Sequence, residues 1–172
     1  MNIIIVAIGS FGDVYPFIGT GIALKNRGHS VTLLANSYFE KIVKENNLEF
    51  FPIGSVDEYH EMLEKSNDPN FTRFSCDYLA IRPMEPVYEY LANLENRKNT
   101  IVVCNPSGWG ARMANDKFGL PMISVSLVPM MFPSAYDPPQ LRTIKAYPGW
   151  LPRWVFRALI NISMHFVYDH YL

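Results

Sequence analysis

The stretch that decides the fold is Ile3-Ile4-Ile5-Val6-Ala7-Ile8-Gly9-Ser10-Phe11-Gly12-Asp13-Val14-Tyr15-Pro16. Its first six residues form an unbroken apolar run, which is typical of a strand buried on both faces of a parallel sheet. A glycine-bearing turn follows, and we predict that a helix starts at Pro16, where the missing N–H costs nothing. Such a turn places free backbone N–H groups at the carboxyl edge of a sheet, where open α/β folds bind ligands.

The rest of the chain predicts alternating strands and helices. Ser37 with Glu40, and Ser55 with Glu58, have the spacing of capping boxes that open helices. Between 71 and 96 the pattern is helical but broken by Pro83 and Pro86. We predict strands at 30–35, 48–52, 100–104 and 122–127, and helices at 16–27, 37–46, 55–65 and 109–118. This order implies right-handed crossovers and a Rossmann-like parallel sheet flanked by helices.

Three regions are predicted: a Rossmann-like domain over 1–128, a Pro-rich loop over 129–152 and an amphipathic helix over 153–172. Six of the 13 prolines fall in the loop. Arg157, Asn161 and His165 interrupt the last helix too often for a membrane span. This helix reaches the final residue without a capping residue, so we expect the chain to stop in mid-protein, before a further domain.

Composition excludes several classes of function. Charged residues make up 18% of the chain and the net charge is −1, which gives no electrostatic case for nucleic acid or an anionic membrane surface. The two cysteines, Cys76 and Cys104, lack metal-ligand spacing and are too few for a disulfide framework. No signal peptide is visible, so we expect a cytoplasmic location, with peripheral contact at the inner membrane face left open.

The turn itself has two interpretations. Gly9-x-x-Gly12 alone fits a tight turn in any Rossmann-like domain. A nicotinamide or flavin oxidoreductase would need G-x-G-x-x-G and an acid after the second strand, where this chain has Asn36; that function is therefore the weaker alternative. A carboxylate at the mouth of the helix would repel phosphate, so Asp13 either caps the helix or performs chemistry.

Three motifs follow predicted strands or join them: Gly9-Ser10-x-Gly12-Asp13-Val14-x-Pro16, Arg27-Gly28-His29-x-Val31-Thr32 and Ala114-x-x-x-x-Gly119-Leu120-Pro121. Together they resemble the N-terminal domain of two-Rossmann-domain (GT-B) glycosyltransferases, the nucleotide-sugar-dependent enzymes of antibiotic, sterol and lipid glycosylation. Pro16-Phe17-Ile18-Gly19 and Glu85-Pro86-Val87-Tyr88-Glu89-Tyr90 add a similarity to the rhamnosyltransferases of rhamnolipid assembly.

The resemblance implies an inverting transfer in which an acceptor hydroxyl attacks the anomeric carbon and expels a nucleoside diphosphate. The residue after the second glycine removes the hydroxyl proton, which makes Asp13 the implied general base. Relatives with a histidine base orient it with an aspartate after the strand that ends here at Cys104. This chain has Asn105 at that place, which is coherent because an aspartate base has no tautomer to fix.

The resemblance also implies where the two substrates bind. Gly9, Ser10 and Gly12 are expected to face the donor diphosphate, although the main donor site belongs to an absent C-terminal domain. An apolar acceptor, such as a hydroxy-fatty acid, is expected over the carboxyl edge of the sheet. The acceptor-binding candidates are Phe11, Tyr15, Asn105, Trp109, Pro129, Met130, Met131 and Phe132. An equally weighted alternative is that these side chains pack the Pro-rich loop onto the domain.

No metal or cofactor is expected, because a nucleoside-diphosphate sugar is the donor substrate. The expected partners are the C-terminal donor-binding domain of the same protein and a small hydrophobic acceptor. By itself this chain should neither bind nucleotide sugar tightly nor turn over. The main alternative is a non-catalytic acceptor subunit of a split glycosyltransferase, which works beside a separate donor-binding chain.

Overall fold

The computed structural model describes residues 1–66, 68, 74, 76–128, 152, 154, 155, 157 and 158. The chain divides into two compact units, Met1–Val125 and Ser126–Leu172. In the second unit the described residues Trp154, Val155, Arg157 and Ala158 are helical. The predicted Pro-rich loop and the rest of the predicted last helix lie almost entirely outside the described residues.

The first unit alternates strands and helices in the predicted order. Its strands are β1 (Asn2–Val6), β2 (Ser30–Ala35), β3 (Glu49–Pro52), β4 (Thr100–Cys104) and β5 (Met122–Ser124). Its α-helices are α1 (Phe11–Asn26), α2 (Glu40–Glu45), α3 (Val56–Lys65), α4 (Arg82–Ala92) and α5 (Trp109–Phe118). Short 3₁₀ turns lie at Ser37–Phe39 and Arg97–Asn99, and a π-helical turn at Asp77–Ile81 leads into α4.

The five strands form one parallel sheet in the order β3-β2-β1-β4-β5. This confirms the predicted α/β, Rossmann-like class. The central strand β1 pairs with β2 on one side and β4 on the other, and Ile4, Ile5 and Val6 are buried. The chain changes direction across the sheet between β1 and β4, and at such a switch point a crevice opens beyond the carboxyl ends of the strands. The turn after β1 and the turn after β4 both lie there.

Close packing of α1 on the sheet explains one of its glycines. A Cβ added at Gly21 would lie 3.0 Å from Leu48 Cδ1, 3.4 Å from Ile5 Cδ1 and 3.5 Å from Val31 Cγ1. Gly21 therefore lets the helix approach β1 and β2. Gly19 is exposed, and an added Cβ would meet nothing within 4 Å.

Helix α1 begins five residues before the predicted start at Pro16. Ser10 is the N-cap, Asp13 is the third helical residue, and Pro16 lies inside the helix. The prediction missed this start because the acid of the capping box is an aspartate rather than the usual glutamate or glutamine. The predicted C-terminal end is nearly right: Gly28, at φ +85°, follows the cap residue Arg27.

Two other helix predictions were wrong in part. The Ser37 and Glu40 capping box does not form, because the Ser37 hydroxyl donates instead to the Gly54 carbonyl at 2.7 Å. A 3₁₀ turn therefore precedes the short helix α2. Pro83 and Pro86 do not break α4. Pro83 lies in the first turn of α4, where no intrahelical bond is lost, and the π-helical turn absorbs the change before it.

Among the described residues, no helix combines the length and the apolar character that crossing a bilayer requires.

Candidate active site

The turn after β1 is built around a close contact between Gly9 and Asp13. Gly9 has a φ of +135°, a backbone conformation that side-chain-bearing residues rarely adopt. A Cβ added there would fall 2.3 Å from Asp13 Oδ2 and 2.6 Å from its carboxyl carbon. The glycine is therefore required by the carboxylate packed against it. This turn carries Asp13 to the carboxyl edge of the sheet.

Ser10 holds one oxygen of the Asp13 carboxylate. Asp13 Oδ2 accepts a hydrogen bond from the Ser10 backbone N–H at 2.9 Å and from the Ser10 hydroxyl at 3.2 Å. Within the described part of the chain, both hydrogen bonds to this carboxylate go to Oδ2. The residue is half-buried, and no described residue donates a hydrogen bond to Oδ1. Asp13 thus caps its own helix and can still accept a proton.

Ser10 and Gly12, two of the residues predicted to face a diphosphate, differ in whether their hydrogen-bond donors are already used within the chain. Both donors of Ser10 are directed to Asp13, so a phosphate contact from Ser10 would require these bonds to break. Gly12 is the second residue of α1, where a backbone N–H has no acceptor within the helix. It is exposed, and an added Cβ would meet nothing within 4 Å. The described part of the chain therefore gives no steric reason for a glycine at position 12.

Asn105 is buried and bonded to the turn after β1. Its side-chain amide donates to the Ile8 carbonyl at 2.5 Å, and its side-chain oxygen accepts from the Ile8 N–H at 3.4 Å. Its own backbone N–H donates to the Val6 carbonyl at 3.3 Å. Asn105 therefore extends the pairing of β1 and β4 by side-chain bonds. The expected acceptor contact of Asn105 stays a prediction; the residue is 4% exposed and its amide is bonded to Ile8.

Aromatic rings surround the start of α1. The Phe11 ring lies 5.3 Å from the Tyr15 ring, 5.5 Å from each of the rings of Tyr38 and Phe39, and 6.1 Å from Tyr59 (centroid distances). We call these five residues the aromatic cluster. Phe39 and Tyr59 are buried, whereas Phe11 and Tyr15 are 37% and 44% exposed. Two of the predicted acceptor-binding residues thus present an apolar surface one turn or less from Asp13.

Tyr59 forms the buried base of the aromatic cluster. Its hydroxyl makes no hydrogen bond of good geometry within the described residues, and it is fully enclosed. The pKa of Tyr59 is raised to about 12, mainly by burial, with smaller contributions in the same direction from Tyr38, Tyr15 and the Asp13 carboxylate. The Phe11 backbone acts in the opposite direction. The side chain is therefore neutral at physiological pH.

The remaining predicted acceptor residues are less defined. Trp109 is the first residue of α5 and is half-buried, on the loop side of β4. Pro129, Met130, Met131 and Phe132 lie outside the described residues, so their role stays a prediction. The structure therefore brings together the residues from Gly9 to Tyr15, and it connects them to Asn105 through Ile8.

A cavity that the sequence did not predict lies beside this turn. It has a volume of about 150 Å³, is open on one side, and is lined by the turn, by Asn36, by Ile53 and Gly54 after β3, by α3, by the π-helical turn and by the start of α4. Its lining includes Ile8 and Gly9 from the turn, and Tyr59 and Met62 from α3. The sequence pattern over 71–96 predicts an interrupted helix. Hydrophobic periodicity within one segment does not show which other segments it packs against, so it could not predict a cavity between them.

The features of a dinucleotide oxidoreductase are not formed. Asn36 stands where such an enzyme carries an acid for the ribose hydroxyls. Its side-chain oxygen accepts from the Tyr38 N–H at 3.0 Å, and its amide donates to the Ser55 carbonyl at 2.9 Å. These bonds cap the 3₁₀ turn and connect it to α3.

Among the described residues, no three His, Cys, Asp or Glu side chains lie together as metal ligands would.

Comparisons with known proteins match part of this chain. Residues 3–85 match the family model described as the glycosyltransferase family 28 N-terminal domain. The sterol 3-beta-glucosyltransferase UGT80A2 of Arabidopsis thaliana is 37% identical over 54 residues, which cover 31% of this chain and 8% of that protein. The UDP-sugar-dependent glycosyltransferase 52 of Dictyostelium discoideum is 40% identical over 55 residues, 31% of this chain and 3% of that protein. The aligned stretch thus spans less than a tenth of either relative.

Solved structures show the same fold at low identity. The glycotransferase of kitacinnamycin has a TM-score of 0.59 and 20% identity, over 73% of this chain and 30% of its own. The glycosyltransferase SsfS6 of Streptomyces sp. SF2575 has a TM-score of 0.54 and 22% identity, over 73% and 39%. The spinosyn rhamnosyltransferase SpnG has a TM-score of 0.54 and 14% identity, over 74% of this chain and 35% of its own. These structures show that the fold is shared, and the family match covers residues 3–85 of this chain.

Proposed function

We propose that this chain is the acceptor-binding half of a nucleotide-sugar-dependent, inverting glycosyltransferase, and that it acts on a hydroxyl of a hydrophobic acceptor. The observation that carries the proposal is the state of Asp13. Its carboxylate stands at the carboxyl edge of the sheet beside the switch point, with one oxygen fixed by Ser10 and the other available. Exposed aromatic rings lie beside it, as an apolar acceptor would require.

The chemistry follows from this arrangement. An alcohol is a weak nucleophile, and a carboxylate within hydrogen-bond reach accepts its proton as the new bond to the anomeric carbon forms. Because Ser10 holds Oδ2, the carboxylate is oriented before the acceptor arrives, and Oδ1 takes the proton. The sugar donor approaches from the opposite side, and the nucleoside diphosphate leaves away from Asp13. Inverting glycosidases use the same opposed geometry to activate water.

The donor site belongs to a second domain in this proposal, as the coverage of the relatives supports. Backbone N–H groups of Gly9 and Gly12 would contribute donors to the diphosphate. The chain alone should bind nucleotide sugar weakly and should not turn over. Calorimetry with a panel of nucleotide sugars tests this point, and micromolar binding by the chain alone would contradict it.

The sugar and the exact acceptor are further proposals. The curated relatives include sterol glucosyltransferases, whereas the sequence motifs favour the rhamnosyl branch. Screening the complete protein against UDP- and dTDP-linked sugars with hydrophobic alcohols distinguishes the two. A cytoplasmic location follows from the same proposal, because nucleotide sugars are made there, and fractionation of cells would test it.

The decisive experiment replaces Asp13 by asparagine in the complete protein. The amide oxygen can still accept from Ser10, so the helix cap should survive with a loss of about 0.3–1 kcal/mol of charge–dipole stabilisation. Without a basic oxygen, turnover should fall about 10²–10⁴-fold. The matched control is Asp57→Asn, which removes an exposed acid from the first turn of α3 and should leave turnover unchanged. Near-wild-type activity of Asp13→Asn would remove this residue from the mechanism.

A further inference from the structure

Tyr59 of α3 packs against the first residue of α1. Its ring lies 6.1 Å from the Phe11 ring in an edge-to-face arrangement (centroid distance), and α1 begins at Phe11. Tyr59 is only 2% exposed, so this contact belongs to the interior. Asp13, the proposed base, comes two positions after Phe11 in the same helical turn. A change at Tyr59 therefore reaches the Asp13 carboxylate through one neighbouring residue.

The Tyr59 hydroxyl has a contact with the backbone of that same residue. The pKa of Tyr59 is raised to about 12, mainly by burial, and a hydrogen-bonding contact with the Phe11 backbone acts in the opposite direction. A backbone N–H directed at the phenol oxygen has this effect, because it stabilises the ionised form. The N–H of the first residue of a helix has no acceptor within the helix. The neutral hydroxyl of Tyr59 therefore supplies an acceptor at the start of α1.

Packing alone does not account for this hydroxyl. It is fully enclosed, and among the described residues it makes no hydrogen bond of good geometry. A buried hydroxyl without a full partner lowers stability, and a phenylalanine of the same shape would avoid that loss. Local features that lower stability are expected at functional sites. The ring of Tyr59 thus stabilises the core, and the hydroxyl points to a role in function.

The start of α3, which holds Tyr59, is itself bonded to its surroundings. Ser55 and Glu58 form the capping box of α3, and the Tyr59 N–H donates to the Ser55 carbonyl at 3.2 Å. The side-chain amide of Asn36, directly after β2, donates to the same carbonyl at 2.9 Å. Tyr59 therefore lies on a helix start that is connected to the end of a central strand. A residue held in this way can restrain a neighbouring helix.

We propose that Tyr59 is a positioning residue, whose hydroxyl restrains the first turn of α1 and so determines where the Asp13 carboxylate meets the acceptor hydroxyl. This inference rests on the proposed function, because it gives Tyr59 a role in that reaction. Ser10 orients the carboxylate from within α1, whereas Tyr59 sets the place of the helical turn to which the carboxylate belongs. Tyr59 acts through Asp13 and needs no contact with either substrate.

Tyr59→Phe in the complete protein removes the hydroxyl and keeps the ring. With both substrates saturating, kcat should fall about tenfold, since a misplacement of about 1 Å can cost about 10²-fold in rate. The acceptor KM should stay within about twofold of wild type, because the lost interaction is not one with bound substrate. Tm should be unchanged or higher, because a poorly partnered buried hydroxyl is lost. A higher acceptor KM at unchanged kcat would assign the hydroxyl to substrate binding and overturn the proposal.

Tyr78→Phe is the matched control. Tyr78 is also buried, at 8% exposed, and its hydroxyl likewise makes no hydrogen bond of good geometry in the described part of the chain. It lies in the π-helical turn, where the Arg82 guanidinium lies over its ring at 4.1 Å. This variant should leave kcat unchanged. Equal losses of kcat in the two variants would mean that any buried hydroxyl of this region has the effect, and the specific role of Tyr59 would be refuted.

A double-mutant cycle tests whether Tyr59 acts through Asp13. If it does, the two substitutions are not additive, and Tyr59→Phe should change kcat by less than about twofold once Asp13 has been replaced by asparagine. The same loss in both backgrounds would show that the hydroxyl acts on something other than the carboxylate, and the proposal would be wrong.

Hydrogen exchange of the complete protein, followed by mass spectrometry, tests the restraint without reference to activity. In Tyr59→Phe the peptide covering residues 8–17 should exchange about fivefold faster, because the first turn of α1 opens more often, and Tyr78→Phe should leave it unchanged. Unchanged exchange in Tyr59→Phe would overturn the proposal.

Failure of this inference differs from failure of the proposed function. If Asp13→Asn removes turnover while Tyr59→Phe alters neither kcat nor exchange, the role of Tyr59 is wrong and the glycosyltransferase mechanism stands. If Tyr59→Phe speeds exchange while Asp13→Asn leaves turnover intact, the restraint is confirmed and the mechanism that it would serve is refuted.

Discussion

Gly12 offers a test in which stability and activity should move in opposite directions. It is the second residue of α1, is exposed, and would direct a Cβ into open space. Nothing in the described part of the chain therefore requires glycine there, whereas the nearby Gly9 is constrained by both φ and Asp13. If the substrates of the proposed reaction meet over this turn, the open space above Gly12 is where the donor diphosphate approaches the backbone.

The expected gain in stability is worked from helix propensity. Alanine is favoured over glycine in a helix by about 0.5–1 kcal/mol, because it loses less backbone freedom on folding. The first turn is less demanding than the middle of a helix, so we expect about 0.5 kcal/mol for Gly12→Ala. In a chain of this size 1 kcal/mol corresponds to about 2–4 °C in Tm. The variant should thus melt about 1–2 °C above the wild type.

Activity should change in the other direction. A methyl group at position 12 would occupy the space of a phosphate oxygen in van der Waals contact, and kcat/KM of the complete protein for the sugar donor should fall at least tenfold. Gly19→Ala is the matched control, since Gly19 is also an exposed glycine of α1 with an open Cβ direction. It should stabilise the protein by about 1 kcal/mol and leave kcat/KM unchanged.

The outcome that refutes the reasoning is specific. If Gly12→Ala and Gly19→Ala both raise Tm and both retain full activity, no substrate approaches the backbone of this turn closely. The assignment of Gly12 to the donor side would then be abandoned. A lower Tm for Gly12→Ala would show instead that the first turn of α1 needs glycine for a reason within the chain.

Further outcomes are expected for Gly110, Asn105 and Cys104. Gly110→Ala should lower the free energy of unfolding by about 1–3 kcal/mol in chemical denaturation, because its Cβ would lie 2.2 Å from a backbone carbonyl of α4; an unchanged midpoint would contradict the packing. Asn105→Ala should cost about 1–3 kcal/mol in the same assay, because two buried backbone groups lose their partners. Burial raises the pKa of Cys104 to about 11, so at pH 8 a thiol reagent should modify exposed Cys76 alone until denaturant is added. Because the folded pKa is raised from 9.0, stability should fall as pH rises from about 9 to 11; a flat profile would argue against this burial.

The parts of the fold that local chemistry determines were predicted well. β2, β4 and α5 have the predicted bounds, because each is a short apolar run or a helix closed by a specific residue. Gly119 closes α5 in the left-handed conformation at φ +66°. The α3 capping box also forms as predicted, with Ser55 and Glu58 bonded in both directions. In each of these elements, the residue that determines where the helix or strand begins or ends lies within three positions of that boundary.

What failed depended on contacts between distant segments. Pro83 and Pro86 are strong breakers in isolation, yet Pro83 lies in the first turn of α4 and the helix continues past Pro86. Over this stretch α4 packs on α5, where Gly110 lets the two backbones approach. Ser37 has the spacing of a helix cap, but a carbonyl 17 residues away takes its hydroxyl. The cavity and the aromatic cluster are enclosed by segments that share no sequence pattern. None of these contacts can be inferred from a single window of sequence.

The two interpretations of Asp13, cap and catalytic base, use different atoms of one carboxylate. A cap needs an oxygen that reaches back to the N–H of the residue before the helix, and Oδ2 does this. A base needs an oxygen whose lone pairs are not already taken by the protein, and among the described residues no donor is bonded to Oδ1. In the proposed reaction, the Ser10 bonds would orient the carboxylate before the acceptor hydroxyl arrives. A catalytic acid or base held by the start of its own helix therefore needs no second residue to orient it. In this chain Asn105 is bonded to Ile8 and so joins β1 to β4.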